Sequence, residues 1–274
     1  MANDVTHFPI SSACHVERIT WPKQTETMTE DTLQLAEEVP LALVYNGIDY
    51  AVMMVTPHDM TDFVIGFSMT EGIVSSLSEI KQVSISPVAD GLKADIRIGA
   101  DALRKVLARS RRPIAGRTGC GICGSDMGSV IKCTPHAVQG YTPELQAIRT
   151  ALANLRDHQT LNVGIGMLHA AAWCSTDGHI ASIREDVGRH NALDKLIGHG
   201  LQTHLDFSDG FCVLTSRCSY EMAAKAVASG MRALVSLSAP TALALRTAQQ
   251  AGLALISPAR PESICLHPAP SHKA

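Results

Sequence analysis

The sequence predicts an α/β protein in two parts: a smaller α+β subdomain, then a mixed sheet sandwiched by helices. Three observations predict it. In the second half, short unbroken apolar runs ("FCVLTS", "RALVSLS", "LALIS") alternate with helical stretches, the pattern of strands buried on both faces. In the first half, apolar runs flank the turn dipeptides Asn46-Gly47 and Asp90-Gly91, which reads as hairpins. Between the halves, around residues 110–142, periodicity vanishes, which marks a junction.

Residues 1–36 are polar and aperiodic, and are expected to form a flexible arm. The α+β subdomain, 37–110, opens with the hairpin "VPLALVYNGIDYAVMMVTP". A helix over about 58–71 follows and ends at Gly72. "KQVSISPV" and "LKADIRIG" form a second hairpin, and 101–109 a short helix. Residues 111–142 are a glycine-rich basic loop. The α/β domain, 143–274, starts with the helix "PELQAIRTALANLRD". "MLHAAAWCST" and "HIASIRED" are strands either side of Asp177-Gly178. Helices are expected over 187–198, 219–229 (ended by Gly230) and 240–251, the last with Pro240 near its start and Gly252 past its end. "LALIS" is read as the final strand.

Composition narrows the function. Of 274 residues 46% are hydrophobic but only 4% aromatic, so the core is aliphatic and rich in alanine. A net charge of −3 argues against a general nucleic-acid binder. No apolar run approaches the roughly 18 residues of a membrane span, and no secretory signal is visible. Eight cysteines in a chain of this length do not look like a disulfide framework, so a cytoplasmic protein with reduced thiols is expected.

The most informative stretch is "RSRRPIAGRTGCGICGSDMGSVIKCTPH", residues 109–136. It carries a Cys-x-x-Cys pair, Cys120 and Cys123, and three readings are open. Cys120, Cys123, Cys133 and His136 have the spacing of a compact zinc site. A thioredoxin-like dithiol needs a strand before the motif and a helix after it, and the sequence offers neither. The third reading is a sulfur carrier. Arg104, Lys105, Arg109, Arg111, Arg112 and Arg117 face no acid between 102 and 125, a field that favours a thiolate or an anionic persulfide. Gly116, Gly119, Gly121 and Gly124 let another molecule approach the sulfur closely.

Other charged groups cluster at strand-to-helix junctions. "REDVGRHNALDK" holds Arg184, Glu185, Asp186, Arg189, His190, Asp194 and Lys195. A strand end opening onto a helix N-terminus suits phosphates, so Arg189 and His190 could clamp one while Asp186 or Asp194 reads a guanine edge or a ribose. Helix capping by Asp186 is the plainer alternative. His169 is either a core histidine or a ligand contact. In "SRCSYEMAAKA", Arg217, Ser219 and Lys225 are candidate anion contacts and Cys218 a packed thiol.

The ordered motifs "EEVPLALVYNGI", "GFSMTEGI", "AGRTGCGICG", "HAAAW", "EDVGRHNALDK" and "SRCSYEMAAKA" resemble the formate dehydrogenase accessory sulfurtransferase family, FdhD/NarQ, over about residues 36–268. The resemblance implies a cytoplasmic, homodimeric sulfurtransferase with a fold like that of cytidine deaminases. It implies that Cys120 accepts sulfur from a cysteine desulfurase as a persulfide, with Cys123 assisting. The sulfur then goes to a molybdenum or tungsten bis-guanine-dinucleotide cofactor, for which a guanine nucleotide can stand in, before insertion into the formate dehydrogenase apo-enzyme. It makes Cys133 and His136 incidental, which leaves no metal site. "HAAAW" lacks the glutamate two residues after His169, and no P-C-x-x-C follows, so deamination is not expected. The resemblance also places Ser257, Pro258, Ala259 and Arg260 at the cofactor, where His169, Asp186, Arg189 and His190 are the candidates read from the strand ends. There the chain departs from the family: Pro258 and Pro261 replace a glycine-rich loop, and Cys265 stands where an aromatic is expected. The rival from another class is a cofactor-binding chaperone with an inert or zinc-bound Cys-x-x-Cys.

Overall fold

The computed structural model describes residues 8–21, 27–110, 138 and 141–267. Cys120, Cys123, Cys133 and His136, with the basic loop around them, lie outside the described residues.

The first half is an open four-stranded sheet with two helices. Its elements are β3 (Val39–Tyr45), β4 (Ile48–Val55), α1 (Met60–Thr70), β5 (Ile80–Val88), β6 (Gly91–Ile98) and α2 (Ala100–Ser110), in sheet order β4-β3-β6-β5. Asn46 and Gly47, at φ 48° and 83°, turn the first hairpin as the sequence predicts. β3 pairs with β6 in parallel, so the two hairpins join through their inner strands. Leu41, Leu43, Phe63, Val64, Leu92 and Ile96 fill the core between sheet and helices.

The expected flexible arm contains regular structure. β1 (Ser11–Thr20) pairs antiparallel with β2 (Thr27–Ala36). The ribbon packs little of itself away: Ile19, Leu33 and Leu35 stay 49%, 37% and 43% exposed. With neither face buried, the sequence had no apolar alternation to show.

The second half is a six-stranded sheet, ordered β12-β11-β10-β9-β7-β8. In chain order it comprises α3 (Leu145–His158), β7 (His169–Cys174), β8 (Ile180–Asp186), α4 (Arg189–Thr203), β9 (Phe211–Leu214), α5 (Tyr220–Ala228), β10 (Ala233–Ser236), α6 (Ala242–Ala251), β11 (Ala254–Arg260) and β12 (Ser263–His267). β9, β10 and β11 run parallel. The period of two sorts each strand between two cores. Ala171, Trp173, Cys212 and Leu214 face α4, α5 and α6, whereas Ala172, Cys174, Phe211 and Val213 face α3. Gly252, at φ 74°, closes α6 as predicted. "LALIS" is not the last strand. β12 follows it, and its partly exposed edge position leaves no clear period to read.

Two devices join the halves. Where α1 crosses α4, Gly66 and Gly198 let the backbones touch: a Cβ on Gly66 would lie 1.8 Å from the Asp194 carbonyl oxygen, and one on Gly198 1.9 Å from that of Asp62. Beside the crossing, Thr56 is gripped at three atoms. Its N–H donates to Asp186 Oδ2 at 3.0 Å, its carbonyl accepts from Lys195 Nζ at 3.0 Å, and its hydroxyl oxygen accepts from Val187 N–H at 3.0 Å.

Candidate functional site

The parallel strands β9, β10 and β11 all end at one edge of the sheet, and antiparallel β7 begins there with His169. β8 ends opposite it, with Asp186 in register with His169. The chain then enters α4 at Arg189, after Gly188, and α5 starts nearby after Ser219. Neither Gly188 nor Ser219 caps its helix with a side-chain hydrogen bond. Two helix N-termini without an N-cap side-chain bond therefore open onto this edge, which favours an anion.

The side chains there match. Burial pushes the His169 imidazole below its ordinary 6.5; Arg189, His190 and Arg217 push it further, and Asp186 opposes them. These four basic residues share one field. Arg189 Nε is buried without a hydrogen-bond partner among the described residues, whereas His190 and Ser219 lie beside the Glu221 carboxylate. Leaving a buried polar group unmet costs about 1–3 kcal/mol, a cost that a bound anion would remove. The counter-charge is Glu221, in the first turn of α5, with Oε2 3.9 Å from His190 Nε2. Burial raises its carboxyl, but the neighbouring His190 and Ser219 overcome that and hold it at about 2.

Because the folded state depresses the His169 pKa, it favours the neutral ring. The associated stability is present above the unfolded value and declines as pH falls below it. A bound phosphate should reverse the direction. In an NMR pH titration, the His169 ring should titrate below the ordinary value in the free protein and move up when guanosine diphosphate is added. No movement would place the anion elsewhere.

Of the residues predicted from sequence, His169, Arg189, His190, Arg217 and Ser219 come together here. Asp186 and Asp194 do not serve as readers of base or ribose. Asp186 accepts from Thr56 N, Gly188 N, Asn191 Nδ2 and Lys195 Nζ, which exhausts a carboxylate's usual capacity. It does not cap α4 either: the N-cap is Gly188, whose own N–H donates to Asp186 Oδ1 at 2.8 Å. Asp194 accepts from Thr70 Oγ1 at 2.7 Å and Lys225 Nζ at 2.6 Å, so Lys225 is not a free anion contact either. Glu185 accepts from the amides of Leu161 and Asn162, and Arg184 pairs with Asp62.

Ser257 reaches the same edge just past the last pair of β11 with β10, but its hydroxyl donates to the Ser238 carbonyl at 2.6 Å. The Ser257–Pro258 bond is cis, and Ala259 and Arg260 pair with Ile264 and Ser263 of β12. The segment read as a loop is thus the irregular end of a strand. From β7 to β11 is three strand spacings, roughly 14 Å, so an elongated ligand would be needed to span both.

Three thiols are ruled out as nucleophiles. Burial pushes Cys174 and Cys218 up to about 12, and Cys212 also rises well above its ordinary value. Glu221 and Thr56 escaped the sequence reading. Glu221 had a signal, an acid in a first helical turn, whereas Thr56 acts through the fold and had none.

The molecule is an α/β scaffold whose basic strand-end edge faces two helix N-termini, a place where an anion would be favoured. The chain belongs to the FdhD/NarQ family, whose model matches residues 36–272. It is 45% identical over 223 residues to the sulfur carrier protein FdhD of Cupriavidus necator, covering 81% of this chain and 77% of that one. To the sulfur carrier protein FdhD of Chromobacterium violaceum it is 43% identical over 228 residues, covering 82% and 84%. The fold matches the crystal structure of a candidate formate dehydrogenase accessory protein from Desulfotalea psychrophila with a TM-score of 0.72, at 22% identity, over 96% of this chain and 99% of that one.

Proposed function

We propose that this protein is a sulfur carrier that loads sulfur onto Cys120 and passes it to a bis-guanine-dinucleotide metal cofactor bound at the sheet edge. The supporting observation is the basic cluster of His169, Arg189, His190 and Arg217, with the unmet buried Arg189 Nε at the start of α4. Relatives named as sulfur carriers supply the other half of the reading. The chain acts in this reading as a cytoplasmic homodimeric sulfurtransferase with a deaminase-type arrangement of its larger domain. A cysteine desulfurase is the donor, and the formate dehydrogenase apo-enzyme receives the product.

The chemistry balances with the two cysteines. The Cys120 thiolate attacks the outer sulfur of the donor persulfide. The donor S–S bond breaks, the donor leaves as a thiolate, and Cys120 carries the anionic persulfide. The Cys123 thiolate then attacks the inner sulfur and expels the outer one as sulfide to the cofactor. The resulting Cys120–Cys123 disulfide is returned to two thiols by an external thiol reductant. Arg189 and His190 hold the cofactor's phosphates during the exchange, and Ser257–Arg260 border its far end.

The test is mass spectrometry of the purified protein after incubation with a cysteine desulfurase and cysteine. A reductant-labile gain of one sulfur on the Cys120 peptide is expected. No gain, with Cys120 and Cys123 shielded from alkylation by bound zinc, would sink the carrier reading and favour a cofactor-binding chaperone. For the edge, Arg189→Ala should weaken guanosine diphosphate binding by about 10–100-fold, the worth of a hydrogen bond to a charged group. Unchanged binding by calorimetry would remove Arg189 from the site.

A further inference from the structure

The basic edge contains an anion of its own. Glu221 stands in the first turn of α5, with Oε2 3.9 Å from His190 Nε2, and the two side chains are only 19% and 13% exposed. The Glu221 carboxyl is held at about 2, so it is charged at neutral pH. A negative side chain in a first turn satisfies the positive end of its helix. α4 has no acid in its first turn, and Arg189 Nε there is buried and unmet. The two helix N-termini therefore differ. That of α5 is answered from within the chain, and that of α4 is left for a ligand.

The charges that remain for a ligand follow from this. His190 and Glu221 face each other. Burial holds the His169 ring below its ordinary 6.5, so it is neutral at pH 8. Among the described residues neither Arg189 nor Arg217 has an acid partner. Two guanidinium charges are thus on offer. The two phosphates of a diphosphate esterified at both ends carry one negative charge each and match them. A free end phosphate carries a second charge above about pH 6. That extra charge finds no third cation and meets the Glu221 carboxylate instead.

We propose that Glu221 sets the specificity of this edge: it admits a diphosphate esterified at both ends and disfavours one with a free end phosphate. It does so by direct repulsion and by keeping His190 as its own partner. The proposal rests on the sheet-edge half of the proposed function and gives that site its ligand class. A plain guanosine diphosphate shares its base and both phosphates with half of a guanine-dinucleotide cofactor. A carboxylate placed against the free end phosphate tells the two apart at the point where they differ.

The test is calorimetry at pH 8 on the full chain, with guanosine diphosphate and with its glucose ester, in which the end phosphate is capped. The wild-type chain should bind the capped nucleotide at least as tightly as the free one, although the free one carries one more negative charge. Glu221→Gln keeps the shape and removes the charge. It should tighten guanosine diphosphate roughly tenfold or more and the capped nucleotide by less than about threefold, the difference that one neighbouring unit charge makes to one extra ligand charge. Equal changes for both ligands would overturn the proposal, because a merely structural role moves them together. Tighter binding of the free diphosphate to the wild-type chain would overturn it too, and that comparison decides the matter even if Glu221→Gln fails to fold. If neither nucleotide binds the wild-type chain, the sheet-edge reading itself falls. If both bind without the expected order, only the role of Glu221 falls.

Discussion

Asp186→Ala should cost the protein about 3–5 kcal/mol, the usual penalty for breaking a buried ion pair from one side. Asp186 and Lys195 are each 0% exposed, with Oδ2 and Nζ 2.7 Å apart. Removing the carboxylate leaves the Lys195 ammonium in the interior with only the carbonyls of Thr56 and Glu185. It also strands the amides of Thr56 and Gly188. Urea unfolding should show a lower midpoint with little change in slope. Replacing both members by similarly sized apolar residues, Asp186→Leu with Lys195→Met, should recover part of the loss, because no lone charge remains buried. A single replacement that costs under about 1 kcal/mol would mean that water reaches the pair.

Gly66→Val should be comparably severe, for a steric reason. The added Cβ would lie 1.8 Å from the Asp194 carbonyl oxygen, 2.6 Å from its carbon and 2.9 Å from the Gly198 nitrogen. All three are backbone atoms and cannot swing aside, so α1 must move off α4. That movement stretches the hydrogen bond between Thr70 and Asp194, which spans the same joint. A loss above about 4 kcal/mol, or no folded protein, is expected. Gly66→Ala introduces the same Cβ and should be nearly as damaging. A well-folded Gly66→Ala protein would show that the helices tolerate a wider crossing.

The strands and helices of the second half were legible because both of their environments are apolar and periodic. Trp173 and Cys212 on one face, and Cys174 and Val213 on the other, are buried, so the runs read as continuous. The β1–β2 ribbon was not legible, since its side chains largely face solvent. At the site, the basic residues were found because helix starts after strands attract attention wherever they occur. Which of the charged residues there are already held by hydrogen bonds could not be read. Asp186, Asp194 and Lys225 look as suitable for a ligand as Arg189 does until the distant Thr56 and Thr70 are brought beside them.

Asp186 closes the loop into α4 through Gly188 and Asn191 while holding Thr56 from the other half. The start of α4, where Arg189 and His190 stand, is thus tethered by the same carboxylate that latches the two halves. The consequence concerns cooperativity. Amides of α1 and the first turns of α4 should exchange with solvent as one foldon, at one opening free energy. The larger domain expressed alone would keep the bonds from Gly188 and Asn191 to Asp186 but lose the one from Thr56, so the start of its α4 should open more readily.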